Sequence, residues 1–406
     1  MTVDYLIIGG GYAGVTAAAT LRRMGGKGRV VIVCAEQEYP YFRYTLTKEF
    51  MQGKRQRARM FLHPPKFYDD QEIEIRLGTK AVSLDTRKRT VTLESGEEIT
   101  FEKLLMATGA SPRKLLVPGS ELPGVYYLRT LADAEAIRQE IAPGRKAVII
   151  GGGFIGAELA ASLTQEGVET TIIGTSQTIW ANLFGEDMGR FFHEALQKRG
   201  ITMLTPAHVQ RIEGDGKAQK VVTQEGHALL CDFVVIGIGV MPETGLAQAA
   251  GLKVDNGTVV NAYLESSEPG IFAAGDSACF FSPLFGTQMR IEHWDVTYQQ
   301  GVTAAQNMLG QRKAFDQVPY FFSGMFDIWL DFLGHAPKWD QLDIRKFDQG
   351  KFSAFFSQPP YIKGALLVNN SNELKTCRDL IKRQVAVDDF ASLRDPSVDL
   401  ASYVTP

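Results

Sequence analysis

Two short glycine-rich segments have the residue types and the spacing that bind the phosphates of a nucleotide. The first follows the apolar run 5–8 and contains Gly9, Gly11, Tyr12, Ala13 and Gly14. In a GxGxxG loop the first glycine makes a tight turn, the second lets the backbone approach a pyrophosphate, and the third lets helix and strand pack closely. The free N–H groups and the positive dipole end of the following helix then face the phosphates. This segment therefore predicts a dinucleotide-binding loop.

The same pattern returns after the segment 145–150, which ends in the apolar run 147–150. It contains Gly151, Gly153, Phe154, Ile155 and Gly156. Two such loops indicate either two bound dinucleotides, or one bound dinucleotide and a second site that has lost nucleotide binding. FAD together with a nicotinamide nucleotide is the obvious pair, and it predicts a redox enzyme.

A carboxylate is expected about 20 positions after the first loop, where it holds a ribose. Glu36 fits this position just past the second strand, and Glu38 is the reserve candidate. The equivalent stretch of the second unit, 171–177, has neither a carboxylate for the ribose hydroxyls nor an arginine for a 2′-phosphate. The choice between NADH and NADPH stays open, and we favour NADH because a phosphate normally requires a cation.

Two further segments end predicted strands of the first domain. One contains Ala107, Thr108 and Gly109, and the other ends in Gly275 and Asp276. A carboxylate at the carboxyl end of a parallel strand is placed to accept a hydrogen bond from a ribityl hydroxyl of FAD. The alternative for Asp276 is to cap the following segment.

The elements that position these residues repeat one architectural unit. A strand, a glycine turn, a helix over 15–24 and a second strand over 29–34 make a βαβ unit, followed by an antiparallel meander in 81–101 and a separate strand over 103–107. A second βαβ unit begins near 145, and 294–309 fit a helix. Aromatic-rich short strands and a helix over 373–383 then predict an α+β domain. We expect an FAD-binding domain from 1–115 and 245–317, a nucleotide-binding domain from 116–244, and a third domain from 318–406.

Composition narrows the classes of function. A net charge of −3 over 406 residues gives no reason to expect nucleic acid binding. No apolar run approaches the roughly 20 residues of a transmembrane helix, and no signal peptide pattern is visible, so we expect a cytoplasmic protein. Cysteines 34, 231, 279 and 377 are scattered, which predicts neither a CxxC redox pair nor a metal site. The sequence leaves a homodimer open.

Taken in order with Gly237, Gly239 and the segment 242–244, these motifs resemble the two-dinucleotide flavoprotein reductases, the superfamily of glutathione reductase. The resemblance implies an α/β fold with two Rossmann-like dinucleotide-binding domains and a C-terminal α+β domain. The segment 39–50 lacks the cysteines of the disulfide reductases. It is similar instead to a loop of ferredoxin reductases and apoptosis-inducing-factor-like flavoproteins, which Arg43 and Lys48 match and in which Tyr44 and Thr45 replace two prolines.

The resemblance also implies roles for individual side chains. It places Lys48 beside flavin N5 as the buried partner of Glu158, where the alternative is two surface charges. It places Glu292, His293 and Trp294 beside the isoalloxazine, where the start of a helix would stabilise the anionic reduced flavin. His293 is equally well explained as a buried histidine. A final set of predicted cofactor contacts is Arg43, Val82, Arg113 and Gly239.

The electron acceptor is the least determined part of the sequence. Residues 319–327 resemble a strand of ferredoxin reductases, but Phe322 and Gly324 stand where those enzymes have Trp and Asp. We interpret the aromatic stripe here as core, and the basic run 54–59 as a solvated surface or a docking site for an acidic ferredoxin. The leading prediction is hydride transfer to FAD and electron transfer to a ferredoxin-type protein. The alternatives are a small acceptor (a quinone, a monodehydroascorbate-like radical or oxygen) and an apoptosis-inducing-factor-like redox sensor.

Overall fold

The structure is a computed structural model that describes residues 1–348 and 350–404. The helices of this part of the chain span Tyr12–Arg23, Pro65–Asp70, Leu131–Gln139, Phe154–Gln165, Ala181–Phe184, Glu186–Gln197, Gly245–Ala249, Trp294–Met308 and Leu374–Lys382. Residues 405–406, the end of the predicted third domain, lie outside the described residues. None of the helices in 1–348 or 350–404 has the length and apolarity needed to cross a bilayer.

The first sheet joins strands from two distant parts of the chain. Thr2–Ile8 pairs in parallel with Val30–Val33 on one side and with Glu98–Met106 on the other, and Ile271–Ala273 pairs in parallel with Glu98–Met106. The other strands of this sheet are Ile73–Arg76, Ala81–Asp85 and Thr90–Leu93. The strand Val30–Val33 and the end of Thr2–Ile8, from Leu6, are continuous buried aliphatic runs, as expected where a sheet is covered on both faces.

Glu98–Met106 corrects the predicted break between the meander and the strand over 103–107. The strand is continuous, but its burial alternates at first and becomes unbroken from Leu104 to Met106. The first half pairs antiparallel with Thr90–Leu93, whereas the second half lies between two parallel neighbours. The burial pattern changes because the neighbouring strands differ between the two halves of this one strand.

A second parallel sheet repeats the arrangement around the second glycine loop. Its strands, in spatial order, are Thr202–Leu204, Glu169–Ile173, Lys146–Ile150, Phe233–Ile236 and Val125–Tyr127. A small antiparallel sheet of Val209–Glu213, Lys220–Thr223 and Ala228–Leu230 is inserted in the chain between two strands of this sheet, Thr202–Leu204 and Phe233–Ile236. The strands Ala110–Pro112 and Val240–Pro242 pair with each other and connect the two halves.

The C-terminal part is an antiparallel sheet backed by the helix Leu374–Lys382. Its strands, in spatial order, are Tyr320–Met325, Ile328–Gly334, Tyr361–Val368, Lys351–Gln358 and Gln341–Asp348. The strand Gln341–Asp348 was not predicted from the sequence. A short sheet of Thr258–Val260, Ala278–Ser282 and Thr287–Met289 packs into the same hydrophobic core as the first sheet.

Candidate functional site

A cavity of about 1240 Å³ lies between the first glycine loop, the start of the helix Trp294–Met308 and the helix Phe154–Gln165. It exceeds the roughly 300–1,000 Å³ of a site for a drug-sized ligand, so it has room for a dinucleotide. The predicted site residues that line it are Gly9, Gly11, Tyr12, Ala13, Glu36, Arg43, Lys48, Val82, Ala107, Thr108, Gly109, Phe154, Ile155, Glu158, Gly275, Asp276, Glu292, His293 and Trp294.

The first glycine loop is shaped by its own backbone. Gly9 has φ +113°, and a Cβ atom there would lie 2.1 Å from the carbonyl oxygen of Ala107. A Cβ at Gly14 would lie 2.1 Å from the carbonyl oxygen of Gly9, so Gly14 serves helix–strand packing and is absent from the cavity lining. Gly11 has nothing within 4 Å of its Cβ position. The loop therefore leaves open space on the side where the helix begins.

The second loop repeats this geometry. Gly151 has φ +116° and a Cβ there would lie 2.2 Å from the carbonyl oxygen of Gly237, while one at Gly156 would lie 2.1 Å from that of Gly151. Gly151, Gly153 and Gly156 are not part of the cavity lining, but the next residues of the helix, Phe154 and Ile155, are. The first loop and the helix that follows the second loop thus meet at the same cavity, although the two loops follow strands of different sheets.

Glu158 joins three parts of the chain at one carboxylate. It accepts hydrogen bonds from Lys48 Nζ at 2.9 Å, Thr47 Oγ1 at 2.5 Å and Ser323 Oγ at 2.6 Å. The Lys48 and Glu158 side chains are 13% and 9% exposed. Because a charge with so little solvent needs a partner, each of the two ions stabilises the other. Ser323, on the strand Tyr320–Met325, was missed from the sequence.

Two further acidic candidates, Glu36 and Asp276, are also paired. Glu36 forms an ion pair with Arg43 and accepts a hydrogen bond from Tyr41 Oη at 2.6 Å. Asp276 forms an ion pair with Arg129 at 2.9 Å. The partners Tyr41 and Arg129 were both missed, and Arg129 lies 147 positions away from Asp276, so no local pattern links them.

The segment 292–294 leads into a helix at the cavity. Trp294 is the first helical residue and His293 is the N-cap, so this helix begins as the sequence predicts. Glu292 pairs with Arg290 at 2.5 Å. Burial lowers the pKa of His293 to about 4, which keeps the ring neutral near pH 7. Gln300, farther along the helix, accepts the backbone N–H of Gly275 at 2.7 Å and so fixes the loop that carries Asp276.

Aromatic rings surround the cavity beside Lys48. The ring centroid of Trp294 lies 5.5 Å from that of Tyr44, 5.9 Å from that of Phe322 and 6.3 Å from that of Tyr12. Lys48 Nζ lies 5.7 Å from the Phe322 ring centroid. Interpreting the aromatic stripe as core was wrong for part of it, since Phe321, Phe322 and Phe332 line the cavity.

Two predicted contacts lie outside the cavity, and Cys34 is the one cysteine among its lining residues in the described part of the chain. The backbone N–H of Arg113 donates to the carbonyl of Gly239 at 2.9 Å, beside the strand pair that joins the two halves, and neither residue lines the cavity. All four cysteines are free and buried. Cys34 packs under the first loop, because a Cβ at Gly10 would meet its sulfur at 2.1 Å, and burial raises its pKa to about 12. These thiols are not arranged for dithiol chemistry.

The residues present fit FAD with a nicotinamide nucleotide. Both glycine loops have the backbone shape that a pyrophosphate needs, and the cavity reaches from one to the helix of the other. The indole Nε1 of Trp294 and the imidazole Nδ1 of His293 are buried without a hydrogen-bond partner among the described residues, so both are available to a group bound in the cavity. Fold and site together define a flavoprotein with two dinucleotide sites.

Comparison with known proteins agrees with the assignment as a flavoprotein with two dinucleotide sites. Residues 3–301 match the pyridine nucleotide-disulphide oxidoreductase family, and residues 320–404 match the reductase C-terminal family. The chain therefore belongs to the pyridine nucleotide-disulphide oxidoreductase family. It is an oxidoreductase of the class that uses FAD and NAD(P)H, as the sequence predicts.

Three similar proteins cover most or all of the chain. The ferredoxin–NAD(+) reductase component of an anthranilate 1,2-dioxygenase system from Burkholderia cepacia is 34% identical over 100% of both chains. The rubredoxin-NAD(+) reductase of Pseudomonas putida is 34% identical over 84% of this chain and 88% of its own. The reductase in a covalent putidaredoxin reductase–putidaredoxin complex superimposes with a TM-score of 0.96 at 30% identity, over 99% of this chain and 98% of its own.

Proposed function

We propose that this chain oxidises NAD(P)H with FAD as its cofactor and passes the electrons to a small iron–sulfur protein. The observation that carries the proposal is the cavity itself, which is lined both by the first glycine loop and by Phe154, Ile155 and Glu158 of the second glycine helix. A nucleotide on the second loop and a flavin on the first would meet there. The names of the similar reductases, whose partners are ferredoxin, rubredoxin and putidaredoxin, support an iron–sulfur acceptor.

The chain's own residues have three tasks in this reaction. When bound, FAD would supply the hydride acceptor and the one-electron donor that the protein's side chains lack. The backbone at Gly9 and Gly11 would hold the phosphates of FAD. The ion pair with Arg129 fixes the Asp276 carboxylate, which would accept a hydrogen bond from a ribityl hydroxyl of FAD. The helix that begins at Trp294 directs its positive end into the cavity, where it stabilises negative charge.

Lys48 adds a positive charge at the same end of the cavity. Glu158, Thr47 and Ser323 fix the position of that charge without leaving a bare ion. Phe322 lies over this charge, and Tyr44 and Trp294 pack against Phe322, so the rings limit the contact of Lys48 with water. No side chain has to take up a proton for hydride transfer, so the task of the protein is orientation and charge stabilisation.

NADH is the proposed donor. Residues 174–177, at the end of the strand Glu169–Ile173, are Gly, Thr, Ser and Gln and offer no cation for a 2′-phosphate. They also offer no carboxylate for the ribose hydroxyls, so the proposed preference for NADH over NADPH is modest.

The free, buried cysteines suit a reducing compartment and support the proposed cytoplasmic location. The pairing of Ile271–Ala273 with Glu98–Met106 supports the proposed discontinuous FAD domain, 1–115 and 245–317.

Steady-state turnover tests the proposal. The FAD-loaded protein, NADH and a bacterial ferredoxin are mixed with cytochrome c as the final acceptor, and the absorbance of reduced cytochrome is followed. We expect a rate that needs both NADH and ferredoxin, with kcat/KM higher for NADH than for NADPH. A cytochrome reduction rate that is the same with and without each of ferredoxin, rubredoxin and putidaredoxin would contradict the proposed acceptor class.

A further inference from the structure

An exposed tryptophan continues the aromatic lining of the cavity to the protein surface. Trp329, on the strand Ile328–Gly334, is 41% exposed. Its ring stacks on Phe322, with centroids 4.7 Å apart and an angle of 15° between the ring planes. Phe322 in turn contacts Trp294 and Tyr44 at the cavity. These rings form an unbroken series of contacts from the cavity to solvent.

The hairpin is built so that this indole lies flat. Gly324 is directly opposite Trp329 in the antiparallel register. A Cβ at position 324 would come within 3.2 Å of Cε3 and 3.3 Å of Cζ3 of the indole, so a side chain there would press on the ring and shift it by a few tenths of an ångström. Hydrogen bonds in both directions between Trp329 and Asn369 hold the strand end in place. The indole therefore packs closely over Gly324 while its ring stacks on Phe322.

A single exposed tryptophan is ordinary on a protein surface, so its connection to the cavity is what matters. Within residues 1–348 and 350–404, the other exposed aromatic side chains are Phe281 and Phe347. Neither makes a ring contact with a residue of the cavity in this described part of the chain, although both are exposed to a similar extent, at 39% and 36%. They are natural controls for Trp329.

A basic segment reaches another ring of the cavity lining, Phe42. Arg55 lies 5.7 Å from the ring centroid of Phe42, which contacts Tyr44. Arg57 is committed to Glu38 and Glu135, but Lys54, Arg55 and Arg59 form no ion pair with any residue of the described ranges. The cationic segment and the exposed Trp329 both connect to the cavity through ring contacts, and together they are complementary to an acidic protein surface with an apolar centre.

We infer that Trp329 is the contact through which an acidic iron–sulfur protein docks and receives electrons, an inference that rests on the proposed function. One NAD(P)H supplies two electrons and a proton as a hydride. Two molecules of the iron–sulfur protein take one electron each, and the proton is released to solvent. Because electron transfer weakens steeply with distance, the partner benefits from seating its iron centre against the exposed end of the ring series, Trp329.

The test compares Trp329→Ala and Trp329→Phe with the control Phe347→Ala. Each FAD-loaded protein is reduced with NADH without oxygen and mixed in a stopped-flow instrument with putidaredoxin, a bacterial ferredoxin, a rubredoxin or ferricyanide. We expect Trp329→Ala to lower the second-order rate with the iron–sulfur protein by about tenfold, as for truncation of a tryptophan hot spot. Trp329→Phe is expected to retain most of the rate, and Phe347→Ala all of it.

Reduction by NADH and reoxidation by ferricyanide are expected to stay unchanged in every variant, which shows that folding and the flavin site are intact. An iron–sulfur rate for Trp329→Ala within twofold of the parent would overturn the inference and leave the proposed function standing. A parent protein that reoxidises with ferricyanide but with none of the three iron–sulfur proteins would overturn both.

Discussion

Replacing Glu158 tests how the charge at the centre of the site is held. Glu158→Ala removes the acceptor of three hydrogen bonds and the counter-charge of Lys48. Breaking a buried pair by removing one partner costs about 3–5 kcal/mol. We expect the lower end of that range, because the Lys48 side chain keeps 13% of its exposure and can turn towards the cavity. Glu158→Gln keeps an amide oxygen for Lys48 or one of the hydroxyls, and should cost about 1–3 kcal/mol.

A double-mutant cycle with Lys48→Met isolates the interaction between the two charges. We expect the double variant Lys48→Met/Glu158→Gln to be less destabilised than the sum of the single variants, with a coupling energy of about 0.5–3 kcal/mol. The assay is urea unfolding of the FAD-loaded protein, followed by both flavin fluorescence and circular dichroism. Coincident transitions by the two probes are needed before the free energies of unfolding are compared.

The matched control is an exposed pair on the second sheet. Lys146 and Glu169 are 3.8 Å apart and their side chains are 51% and 64% exposed. Exposed pairs contribute about 0.2–1 kcal/mol, so Lys146→Met and Glu169→Gln should show weak coupling. If the Lys48 and Glu158 variants were additive, or coupled no more strongly than this control pair, the argument that each ion stabilises the other would be refuted.

Three further predictions follow from single residues. Gly9→Ala should abolish FAD retention, because its φ of +113° and a contact of 2.1 Å with the Ala107 carbonyl exclude a methyl group; the ratio of FAD to purified protein measures this. His293 has a pKa of about 4 when folded against 6.5 ordinarily, so the unfolded state binds more protons between these values. Stability should therefore fall as pH drops through that window, by up to about 1.4 kcal/mol per unit, and His293→Gln should flatten the profile of Tm against pH. Arg55→Gln should reduce the salt dependence of the rate with the iron–sulfur protein, while Arg57→Gln, whose charge is already paired, should change it less.

Each of these three predictions can be contradicted by one measured outcome. Stoichiometric FAD in Gly9→Ala would mean that the loop can move away from residue 107. A profile of Tm between pH 4 and 6.5 that is the same with and without His293 would remove this ring as a source of pH dependence. Equal salt slopes for the Arg55 and Arg57 variants would show that ion pairing inside the protein does not decide which charges meet the partner.

The local patterns of the sequence predicted most of the fold. Both glycine loops, the parallel strands beside them and the helix from Trp294 are where their patterns place them, because each depends on residues close together in the chain. The short distance between Lys48 Nζ and Glu158 followed from a family resemblance, not from the pattern of residues. The strand Gln341–Asp348 was missed although it is as long as its neighbours. It runs along the edge of the sheet and carries many polar residues, so its apolar signal is weak.

Contacts between distant segments were beyond local patterns. Ser323 meets Glu158 across 165 positions, and Arg129 meets Asp276 across 147. The position of Gly324 opposite Trp329 depends on the register of a hairpin, which a turn at 326–327 sets. An aromatic stripe in a sequence has the same appearance whether it lines a core or a cavity. Only the packing of three chain segments shows that Phe322 faces Trp294 and Tyr44.

The most direct test of the central claim is a double-mixing stopped-flow experiment without oxygen. The FAD-loaded protein is first mixed with one equivalent of NADH, and loss of the flavin absorbance is recorded. The reduced protein is then mixed with two equivalents of an oxidised ferredoxin, and both flavin and ferredoxin spectra are followed. The account predicts bleaching by NADH, then recovery of the flavin absorbance with one ferredoxin reduced per electron. Bleaching by neither NADH nor NADPH would contradict the account at its first step. Bleaching by either nucleotide followed by no ferredoxin reduction would contradict the iron–sulfur acceptor.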